Sequence, residues 1–358
     1  MRVAVGLSGG VDSAVAALLL KEQGHEVVGV SMRIWDGRPL SVRPGRHACY
    51  GPEEEEDIAQ AQKICEALGI PFHVVDLIEE YNEKVLNFCS LRYLAGATPN
   101  PCVYCNRLVK FEGIPKKLEN LGVKVDAFAT GHYARVTYEK DLGRYVLRKA
   151  VDISKDQSYF LYLLTQEQLA RTFFPLGDLK KQKVRELARK IDLPVANKAE
   201  SQDFVAGGYR QLFGGETKPG PLLDEEGNVL GEHRGIQYYT VGQRRGLGIA
   251  CGRPLYVIGI DPERNAVIVG PEERLYRRRL VASELNWIAG EDLKEPMEVF
   301  ARIRYRHKEA AAVVEPRAEG SVTVTFREPQ RAITPGQAVV FYREDLVLGG
   351  GTIKAVLE

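Results

Sequence analysis

The sequence lacks the features that mark secreted and membrane proteins. Six cysteines in 358 residues are too few for a disulfide framework, so each is better considered as a separate thiol. The longest uninterrupted apolar run, Ala14–Leu20, is too short to span a bilayer. The N-terminus has no charged segment followed by an apolar one with a cleavage site. These absences favour a cytoplasmic protein without a membrane partner.

The sequence also lacks an excess of charge of one sign. Its 49 basic and 48 acidic side chains leave a formal net charge of +1, so the composition does not indicate a protein that coats a polyanion. Any surface for nucleic acid must therefore be local. A local basic cluster comprises Arg274, Arg277, Arg278 and Arg279, and it fits either a solvated linker or a contact with an RNA backbone.

Alternating strand and helix patterns over residues 1–200 predict an α/β domain with a parallel sheet. Strands are predicted at Arg2–Leu7, Glu26–Met32, Phe72–Leu77 and Val125–Thr130, and helices at Val11–Gln23, Glu54–Leu68, Ile78–Leu94 and Asp178–Ile191. After residue 200, glycines and prolines punctuate short strands, which predicts a small central domain over residues 201–275. Alternating β runs over residues 276–358 predict a C-terminal antiparallel β-barrel.

A strand, a turn of small residues and a helix follow one another at the N-terminus. The turn Ser8-Gly9-Gly10 lets the backbone approach a ligand closely, and the helix that starts at Val11 offers N–H groups to an anion. A Walker A loop needs Lys and Ser or Thr after its last Gly, and this loop has no Lys. Thr130-Gly131-His132 ends another predicted strand, so we expect it to face the same cleft.

Two cysteines separated by two residues lie in the proline-rich segment Thr98-Pro99-Asn100-Pro101-Cys102-Val103-Tyr104-Cys105. The prolines predict extended or turn backbone instead of regular helix. Thiols at this spacing can form a redox pair, bind a metal or carry sulfur as a persulfide. Cys65 and Cys89 have the helical spacing of core residues, Cys49 falls in a loop-like stretch, and packing is favoured for Cys251.

Together these segments resemble the tRNA-uridine 2-sulfurtransferases, or tRNA-specific 2-thiouridylases, of the PP-loop ATP pyrophosphatase superfamily. The Ser-Gly-Gly-x-Asp-Ser string is shared with other PP-loop enzymes, whose ATP-binding domain is adenine nucleotide alpha hydrolase-like, whereas the other strings are specific in combination. The resemblance runs almost end to end and is carried by Gly6–Ser13, Thr98–Pro101, Cys105-Asn106, Lys110-Phe111, Ala129–Arg135, Lys155–Leu161, Tyr239–Gly248, Arg304–Arg306 and Pro335–Ala338.

The resemblance implies an enzyme that replaces the C2 oxygen of the wobble uridine of certain tRNAs with sulfur. Transfer of AMP from ATP to that oxygen would release pyrophosphate and create a good leaving group. The implied cofactors are ATP and Mg²⁺, with Asp12 helping to hold the Mg²⁺, and the implied partners are tRNA and a sulfur donor protein or sulfide. The implied ATP-binding residues are Gly6, Leu7, Ser8, Gly9, Gly10, Val11, Asp12, Ser13, Met32 and Gly131.

The resemblance also assigns residues to the tRNA and to the sulfur chemistry. Contacts with tRNA or its target base are implied for Asn100, Pro101, Cys102, His132, Lys155, Asp156, Gln157, Arg304, Tyr305 and Gln337. Cys105 matches the cysteine that releases sulfur, and the expected catalytic residues are Cys105, Cys102 and Asp12. The family's later cysteine, which carries the persulfide, usually follows a segment like Glu200-Ser201-Gln202-Asp203. Here Phe204-Val205-Ala206-Gly207 follows, whereas Cys102 stands where the family often has Asp.

This departure leaves two interpretations of the thiols open. In the first, Cys102 replaces the absent cysteine and handles the persulfide together with Cys105. In the second, Cys102, Cys105 and a third cysteine hold a 4Fe–4S cluster whose open iron binds sulfide. Cys49 is the preferred third ligand and Cys251 the second choice. Zinc on the same thiols, with His47, is a weaker option.

The sequence bears on two alternative functions. A different PP-loop ATP pyrophosphatase, acting on tRNA or on a small amide substrate, would not need the Pro-Asn-Pro-Cys-x-x-Cys-Asn segment. A non-catalytic RNA-binding module would not need an intact Ser-Gly-Gly-x-Asp-Ser loop. Pyrophosphate release from ATP in the presence of tRNA distinguishes these functions.

Overall fold

The computed structural model describes residues 1–41, 48–190, 203–213 and 217–357. The strands are Arg2–Gly6 (β1), Glu26–Arg33 (β2), Ala48–Tyr50 (β3), Phe72–Asp76 (β4), Ala127–Thr130 (β5), Ala134–Glu139 (β6), Arg144–Lys149 (β7), Thr172–Phe173 (β8), Asp203–Val205 (β9), Gly220–Leu223 (β10), Val229–His233 (β11), Tyr256–Asp261 (β12), Ala266–Gly270 (β13), Tyr276–Trp287 (β14), Met297–Arg302 (β15), Ala310–Pro316 (β16), Val322–Arg331 (β17), Ala338–Arg343 (β18) and Leu346–Leu357 (β19).

The α-helices are Val11–Glu22 (α1), Glu54–Leu68 (α2), Ile78–Tyr81 (α3), Phe88–Leu94 (α4), Pro101–Tyr104 (α5), Gly113–Asn120 (α6), Gln166–Ala170 (α7) and Lys181–Lys190 (α8). Six-residue π-helical segments, Asn82–Asn87 and Cys105–Lys110, continue α3 and α5. Single 3-10 turns occupy Ser158–Phe160, Tyr209–Leu212, Ile236–Tyr238 and Glu272–Leu275. None of the helices in the described part of the chain is both long and apolar enough to cross a membrane.

The N-terminal sheet has the parallel order β4-β2-β1-β5-β8, which confirms the predicted α/β class. The central strand β1 is buried on both faces because Val3, Ala4 and Val5 are fully inaccessible to solvent. In the register of β1 and β5, Gly6 lies opposite Thr130. The loops that follow these two strands are therefore adjacent at the carboxyl edge of the sheet, as predicted.

Two cores cover the two faces of this sheet. On one face, α1 packs through its small and aliphatic side chains, together with α8, in a core that includes Ala14, Val184 and Ala188. On the other face, a core that includes Cys105 and Val205 joins the thiol segment to β9. Helix α1 and the thiol segment thus pack on opposite faces of one sheet.

The C-terminal strands close into a barrel of order β14-β17-β16-β15-β18-β19, because β14 also pairs with β19. A hairpin from the N-terminal half, β6–β7, extends this sheet through the pairing of β7 with β19. Sequence patterns did not predict that hairpin. Between the two sheets in the chain, a smaller one has the order β11-β10-β13-β12.

Three local predictions need correction. The prolines do not keep the thiol segment out of a helix, because Pro101 occupies the first turn of α5, where its missing N–H costs no hydrogen bond. The basic cluster is not a linker, since Arg277, Arg278 and Arg279 lie within strand β14. The α8 helix begins at Lys181, three residues after the predicted start.

Candidate active site

The loop after β1 has the geometry of an anion cradle. Gly10 has extended backbone before α1, and no side chain in the described ranges caps the first turn of that helix. Ser13 closes the loop: its Oγ donates to the Gly10 carbonyl oxygen at 3.1 Å and accepts from the Ser8 N–H at 3.3 Å. No capping side chain competes with a ligand for the first-turn N–H groups, and the helix dipole favours an anion there.

Close backbone packing requires glycine at two positions around this loop. Gly9 has a positive φ of 63°, and a Cβ there would lie 2.6 Å from the carbonyl oxygen of Asp57 in α2. A Cβ on Gly131 would lie 2.7 Å from the carbonyl carbon of Asp12 and from the nitrogen of Ser13. A side chain at Gly9 would therefore push the loop away from α2, and one at Gly131 would push the end of β5 away from the start of α1.

The carboxylate of Asp12 is bound by two side chains that the sequence did not link to it. Lys181 Nζ lies 2.8 Å from Oδ1 and 2.7 Å from Oδ2 of Asp12. The Tyr133 hydroxyl donates to Oδ1 at 2.9 Å. Lys181 stands 169 residues from Asp12 along the chain, and only the packing of α8 on α1 brings it to the loop.

The remaining residues assigned to the nucleotide also lie around this edge of the sheet. Leu7 and Val11 are buried, and Met32 is partly buried near the end of β2. The Ser31 hydroxyl donates to the carbonyl oxygen of Leu7 at 2.8 Å, which fixes β2 against the loop. The contact of Met32 with the nucleotide stays a prediction.

Cys102 lies in α5, and Cys105, three residues further along, begins the π-helical segment that continues this helix. Cys102 is exposed and Cys105 is buried. Desolvation by the surrounding protein raises the pKa of Cys102 to about 12, and the neighbouring thiols Cys49 and Cys105 add to the rise. Desolvation raises the pKa of Cys105 to about 11, against the opposing effect of the Lys110 charge.

Cys49 joins this pair from a different part of the chain. It is exposed at the middle of β3 and interacts electrostatically with both Cys102 and Cys105. Strand β3 pairs in parallel with β9, with Tyr50 opposite Val205. The strand that follows the Glu200–Asp203 segment, where the family's later cysteine is expected, therefore lies directly beside the strand that carries Cys49.

Lys110 and His132 connect the thiols to the ATP loop. The charges of all three thiols raise the pKa of Lys110, although burial opposes them as the largest single effect. Burial, aided by the Lys110 charge, holds the pKa of His132 well below its usual 6.5. His132 Nδ1 is 2.7 Å from the Thr130 hydroxyl, and its ring lies near those of Phe111 and Phe174. Both effects favour the neutral form of the His132 imidazole.

The spacing of the thiols bears on which metal group they fit. Among residues 1–41, 48–190, 203–213 and 217–357, no three Cys, His, Asp or Glu side chains converge closely enough for one metal ion. Sulfurs that share one zinc ion lie within about 4 Å of one another, because each bond is about 2.3 Å. Thiolates of an iron–sulfur cluster stand further apart, since each binds a different iron. The described residues therefore offer no single-metal site, and His47, which the zinc option needs, lies outside them.

Cys251 lies in the central part of the chain, in the segment between β11 and β12. It is exposed, and its Sγ donates to the carbonyl oxygen of Arg253 at 3.3 Å. The electrostatic effects on Cys102 and Cys105 include Cys49 but not Cys251. Whether Cys49 or Cys251 accompanies the pair stays a prediction.

Several residues assigned to tRNA make contacts within the chain. The carboxylate of Asp156 is buried, accepts from the Ala150 and Ser158 N–H groups and lies 3.5 Å from Arg302 Nη1. Burial raises the pKa of Asp156. Its tRNA contact stays a prediction, and in this structure its carboxylate shapes the turn that carries Lys155 and Gln157.

The barrel holds the thiol segment through Gln337. Its side-chain amide donates to the carbonyl oxygens of Thr98 at 2.9 Å and Pro99 at 3.2 Å. A Cβ on the preceding residue, Gly336, would lie 2.8 Å from the Thr98 nitrogen. The Pro335–Ala338 turn therefore sets the position of the segment that begins α5.

Arg304 and Tyr305 lie beside this contact. The Arg304 guanidinium donates to the Val241 and Ala332 carbonyl oxygens and to the Thr334 hydroxyl. The Tyr305 ring packs 4.4 Å from that of Phe160, between centroids. Asn100 and Pro101 lie at the start of α5, where Asn100 is partly exposed and Pro101 buried. The residues assigned to tRNA thus group around the junction of barrel, Lys155–Leu161 turn and thiol segment.

Three family models match the chain. They are the tRNA methyl transferase HUP domain over residues 1–206, the tRNA methyl transferase PRC-barrel domain over residues 214–271 and the aminomethyltransferase beta-barrel domain over residues 277–353. The tRNA-specific 2-thiouridylase MnmA of Moorella thermoacetica is 50% identical over 99% of this chain and 99% of that protein. The protein of the same name from Desulforamulus reducens is 47% identical over 100% of this chain and 98% of that protein.

The chain belongs to the tRNA-specific 2-thiouridylase family. Among solved structures, a 4-thiouridine synthetase in complex with RNA and ATP matches 58% of this chain and 46% of its own, with 17% identity and a TM-score of 0.34. NMN synthetase from Francisella tularensis matches 56% of this chain and 65% of its own, with 19% identity and a TM-score of 0.32. These structures are too distant to bear on the details of the site.

Proposed function

We propose that this chain catalyses the ATP-dependent 2-thiolation of the wobble uridine of tRNA. The proposal rests on the family and on one structural observation, the position of the strand end Thr130–His132. Gly131 packs against the ATP loop, where a Cβ would meet the backbone of Asp12. The next residue, His132, interacts electrostatically with Lys110 of the thiol segment. A single strand end thus joins the nucleotide half of the site to the sulfur half.

In the first half-reaction, the C2 oxygen of the uridine attacks the α-phosphorus of ATP. The bond between that phosphorus and the bridging oxygen breaks, and pyrophosphate leaves. The loop N–H groups and the hydroxyls of Ser8 and Ser13 stabilise the charge that moves to the leaving phosphates. Asp12 helps to hold Mg²⁺, which prefers carboxylate and phosphate oxygens.

In the second half-reaction, a sulfur nucleophile attacks C2, the bond from C2 to the adenylated oxygen breaks, and AMP leaves. We propose that Cys49, Cys102 and Cys105 together hold a 4Fe–4S cluster at this point of the site. When bound, the cluster supplies an iron that is open to a sulfide donor. Lys110 offsets the negative charge of the three thiolates, and His132 stays neutral beside them.

The persulfide route is the competing mechanism and needs only two cysteines. A persulfide on one cysteine attacks C2 with its outer sulfur, and the second thiolate then breaks the S–S bond. That step leaves a disulfide, which an external thiol must reduce. The persulfide route uses two cysteines and assigns no role to Cys49. The electrostatic interaction of Cys49 with both Cys102 and Cys105 is therefore our reason for preferring the cluster.

The tRNA is proposed to lie across the barrel and the thiol segment. Contacts are proposed for Asn100, Pro101, Cys102, His132, Lys155, Asp156, Gln157, Arg304, Tyr305 and Gln337. In this arrangement residues 1–200 form the catalytic domain, 201–275 a central domain and 276–358 the tRNA-contacting barrel of a cytoplasmic enzyme. The carboxylate of Asp156 is buried, so it can contact tRNA only if its turn opens. With the turn closed, Asp156 would act on tRNA binding by fixing the positions of Lys155 and Gln157.

Pyrophosphate release tests the proposed activity. Purified protein is incubated with Mg²⁺, ATP and either unmodified or already 2-thiolated tRNA. With unmodified tRNA we expect at least one pyrophosphate released per tRNA that is thiolated. With thiolated tRNA, which offers no C2 oxygen, we expect release near background. An absence of pyrophosphate with unmodified tRNA and Mg²⁺ would show that adenylation is not the activity.

Iron analysis of anaerobically prepared protein tests the sulfur half. We expect iron and acid-labile sulfide in the wild type, their loss in Cys49→Ser, and wild-type content in Cys251→Ser, which replaces an exposed thiol elsewhere. Wild-type protein without iron after reconstitution would favour the persulfide route. Loss of iron in Cys251→Ser alone would make Cys251 the third ligand.

A further inference from the structure

The ATP loop has no lysine of its own, but the fold supplies one. Phosphate loops of the Walker A type place a Lys against the β- and γ-phosphates, and Gly6–Ser13 contains none. In the structure, Lys181 reaches the first turn of α1 and binds both oxygens of the Asp12 carboxylate, at 2.8 and 2.7 Å. Its ammonium therefore stands at the anion-binding end of α1.

The position of Lys181 is fixed by its own helix. The backbone N–H of Lys181 donates to Asp152 Oδ2 at 3.0 Å at the start of α8. Val184 and Ala188 then anchor α8 in the core that contains α1. The Lys181 side chain is 11% exposed and that of Asp12 is 26% exposed. A long, flexible side chain on a fixed backbone can move its ammonium along the helix start while α8 stays in place.

The ion pair between Lys181 and Asp12 is one that bound MgATP can replace on both sides. Removing two charges from water costs free energy that their attraction only partly returns, so a pair at this depth is weak evidence for a purely stabilising role. Bound MgATP offers each member of the pair a competing interaction. Mg²⁺ attracts the Asp12 carboxylate, and the phosphates attract the Lys181 ammonium. Tyr133 donates to Asp12 at 2.9 Å and can keep the carboxylate in place during such an exchange.

We propose that Lys181 is the phosphate-binding cation of the nucleotide site, which exchanges the Asp12 carboxylate for phosphate oxygens when ATP binds. The inference deepens the proposed function and rests on its assignment of the loop to ATP. It adds a residue from a separate helix to a site that the sequence confined to one loop and two strand ends.

A double-mutant cycle in the absence of metal tests the exchange. A nonhydrolysable ATP analogue and adenosine are titrated by calorimetry, in EDTA, into wild type, Lys181→Met, Asp12→Asn and the double variant. EDTA removes any effect of Asp12 on Mg²⁺. We expect Lys181→Met to weaken the analogue at least tenfold in both backgrounds and to change adenosine affinity less than twofold. Lys181→Arg retains the charge and should restore most of the analogue affinity.

The matched control is Lys183→Met on the same helix, where the side chain is 51% exposed and pairs with Glu186. It should leave both affinities within twofold of wild type. Thermal melts establish that each variant is folded, and the double variant leaves neither partner as an unpaired charge.

Three results would overturn the inference. If Lys181→Met weakens the analogue in the wild-type background but not in the Asp12→Asn background, Lys181 only neutralises Asp12. If it weakens adenosine as much as the analogue, its role is structural. If it changes neither ligand, it does not contact phosphate. A wild-type protein that binds no ATP analogue, with or without Mg²⁺, would instead contradict the proposed function itself.

Discussion

The ATP loop and the thiol site are built in opposite ways. The loop is one contiguous segment, Gly6–Ser13, whose function depends on backbone N–H groups and on glycines that permit close packing. The thiol site is assembled from α5 and from β3, which is itself paired with β9. A backbone site must keep its local sequence, whereas a thiol site needs only sulfur atoms in place. A cysteine can therefore be absent from one segment and replaced from a neighbouring one.

The largest loss of activity is expected for a substitution in the ATP loop. Asp12→Ala removes a proposed Mg²⁺ ligand and leaves the Lys181 ammonium without its carboxylate. We expect tRNA-dependent pyrophosphate release to fall at least 100-fold, because the Mg²⁺ that binds the phosphates loses a carboxylate ligand. The measurement is the initial rate of pyrophosphate release with unmodified tRNA.

A thermal melt of the same variant shows whether the effect is local. Asp12 is partly exposed at the start of its helix, so the fold should survive with a modest loss of stability. Asp12→Asn, which retains the shape of the side chain, serves as the matched variant. A grossly unfolded Asp12→Ala protein would mean that the residue is mainly structural and that the contrast between the two halves is overstated.

The second prediction concerns the thiol site and whether β9 can supply the cysteine that β3 carries. Cys49→Ala should lower 2-thiouridine formation at least tenfold while leaving pyrophosphate release near wild type. Val205 is fully buried in the core that contains Cys105, on the strand beside β3. Val205 lies opposite Tyr50 and so faces away from Cys49, but a thiol there would enter the core beside Cys105. Introducing Val205→Cys into Cys49→Ala should restore part of the thiolation, measured by nucleoside analysis of the tRNA.

The control for this rescue is Val205→Cys in the wild-type background, which should keep activity because a thiol is close in volume to the side chain that it replaces. Restored thiolation in the double variant would support a site that needs a third thiol, supplied by either β3 or β9. Unchanged thiolation in Cys49→Ala would remove Cys49 from the site and leave a two-cysteine persulfide mechanism.

The smallest effect is a pH dependence at the strand end that joins the halves. The pKa of His132 lies well below 6.5 in the folded protein, because of burial and the Lys110 charge. Below pH 6.5 the unfolded chain binds a proton that the folded chain does not, so stability falls as pH falls, by up to about 1.4 kcal/mol per pH unit. His132→Gln should make this decline shallower between pH 6.5 and pH 5, as measured by urea unfolding.

Equal pH slopes for His132→Gln and wild type would show that His132 is not held neutral. The comparison is made between the two proteins at each pH, so that other titrating groups cancel. A shallower slope would support the arrangement in which Lys110 faces the strand end from the thiol side.

Sequence patterns predicted the parallel sheet, the ATP loop and the barrel because each depends on local periodicity and turn residues. Pro101 was misjudged because a proline that breaks a helix interior is well tolerated in the first turn. The attachment of the β6–β7 hairpin to the barrel and the contact of Lys181 with Asp12 depend on contacts across 210 and 169 residues, as in the bond from Arg135 to Asp345. No local pattern carries such information, and the same holds for the approach of Cys49 to Cys102.

The central claim is that the two halves act in sequence on one uridine, and Cys105→Ser separates them most directly. The variant is given Mg²⁺, ATP, a sulfide source and unmodified tRNA, and both pyrophosphate and 2-thiouridine are measured in the same reaction. The account predicts pyrophosphate release within a fewfold of wild type for the first turnover and no detectable 2-thiouridine. Undiminished 2-thiouridine formation by this variant would contradict it.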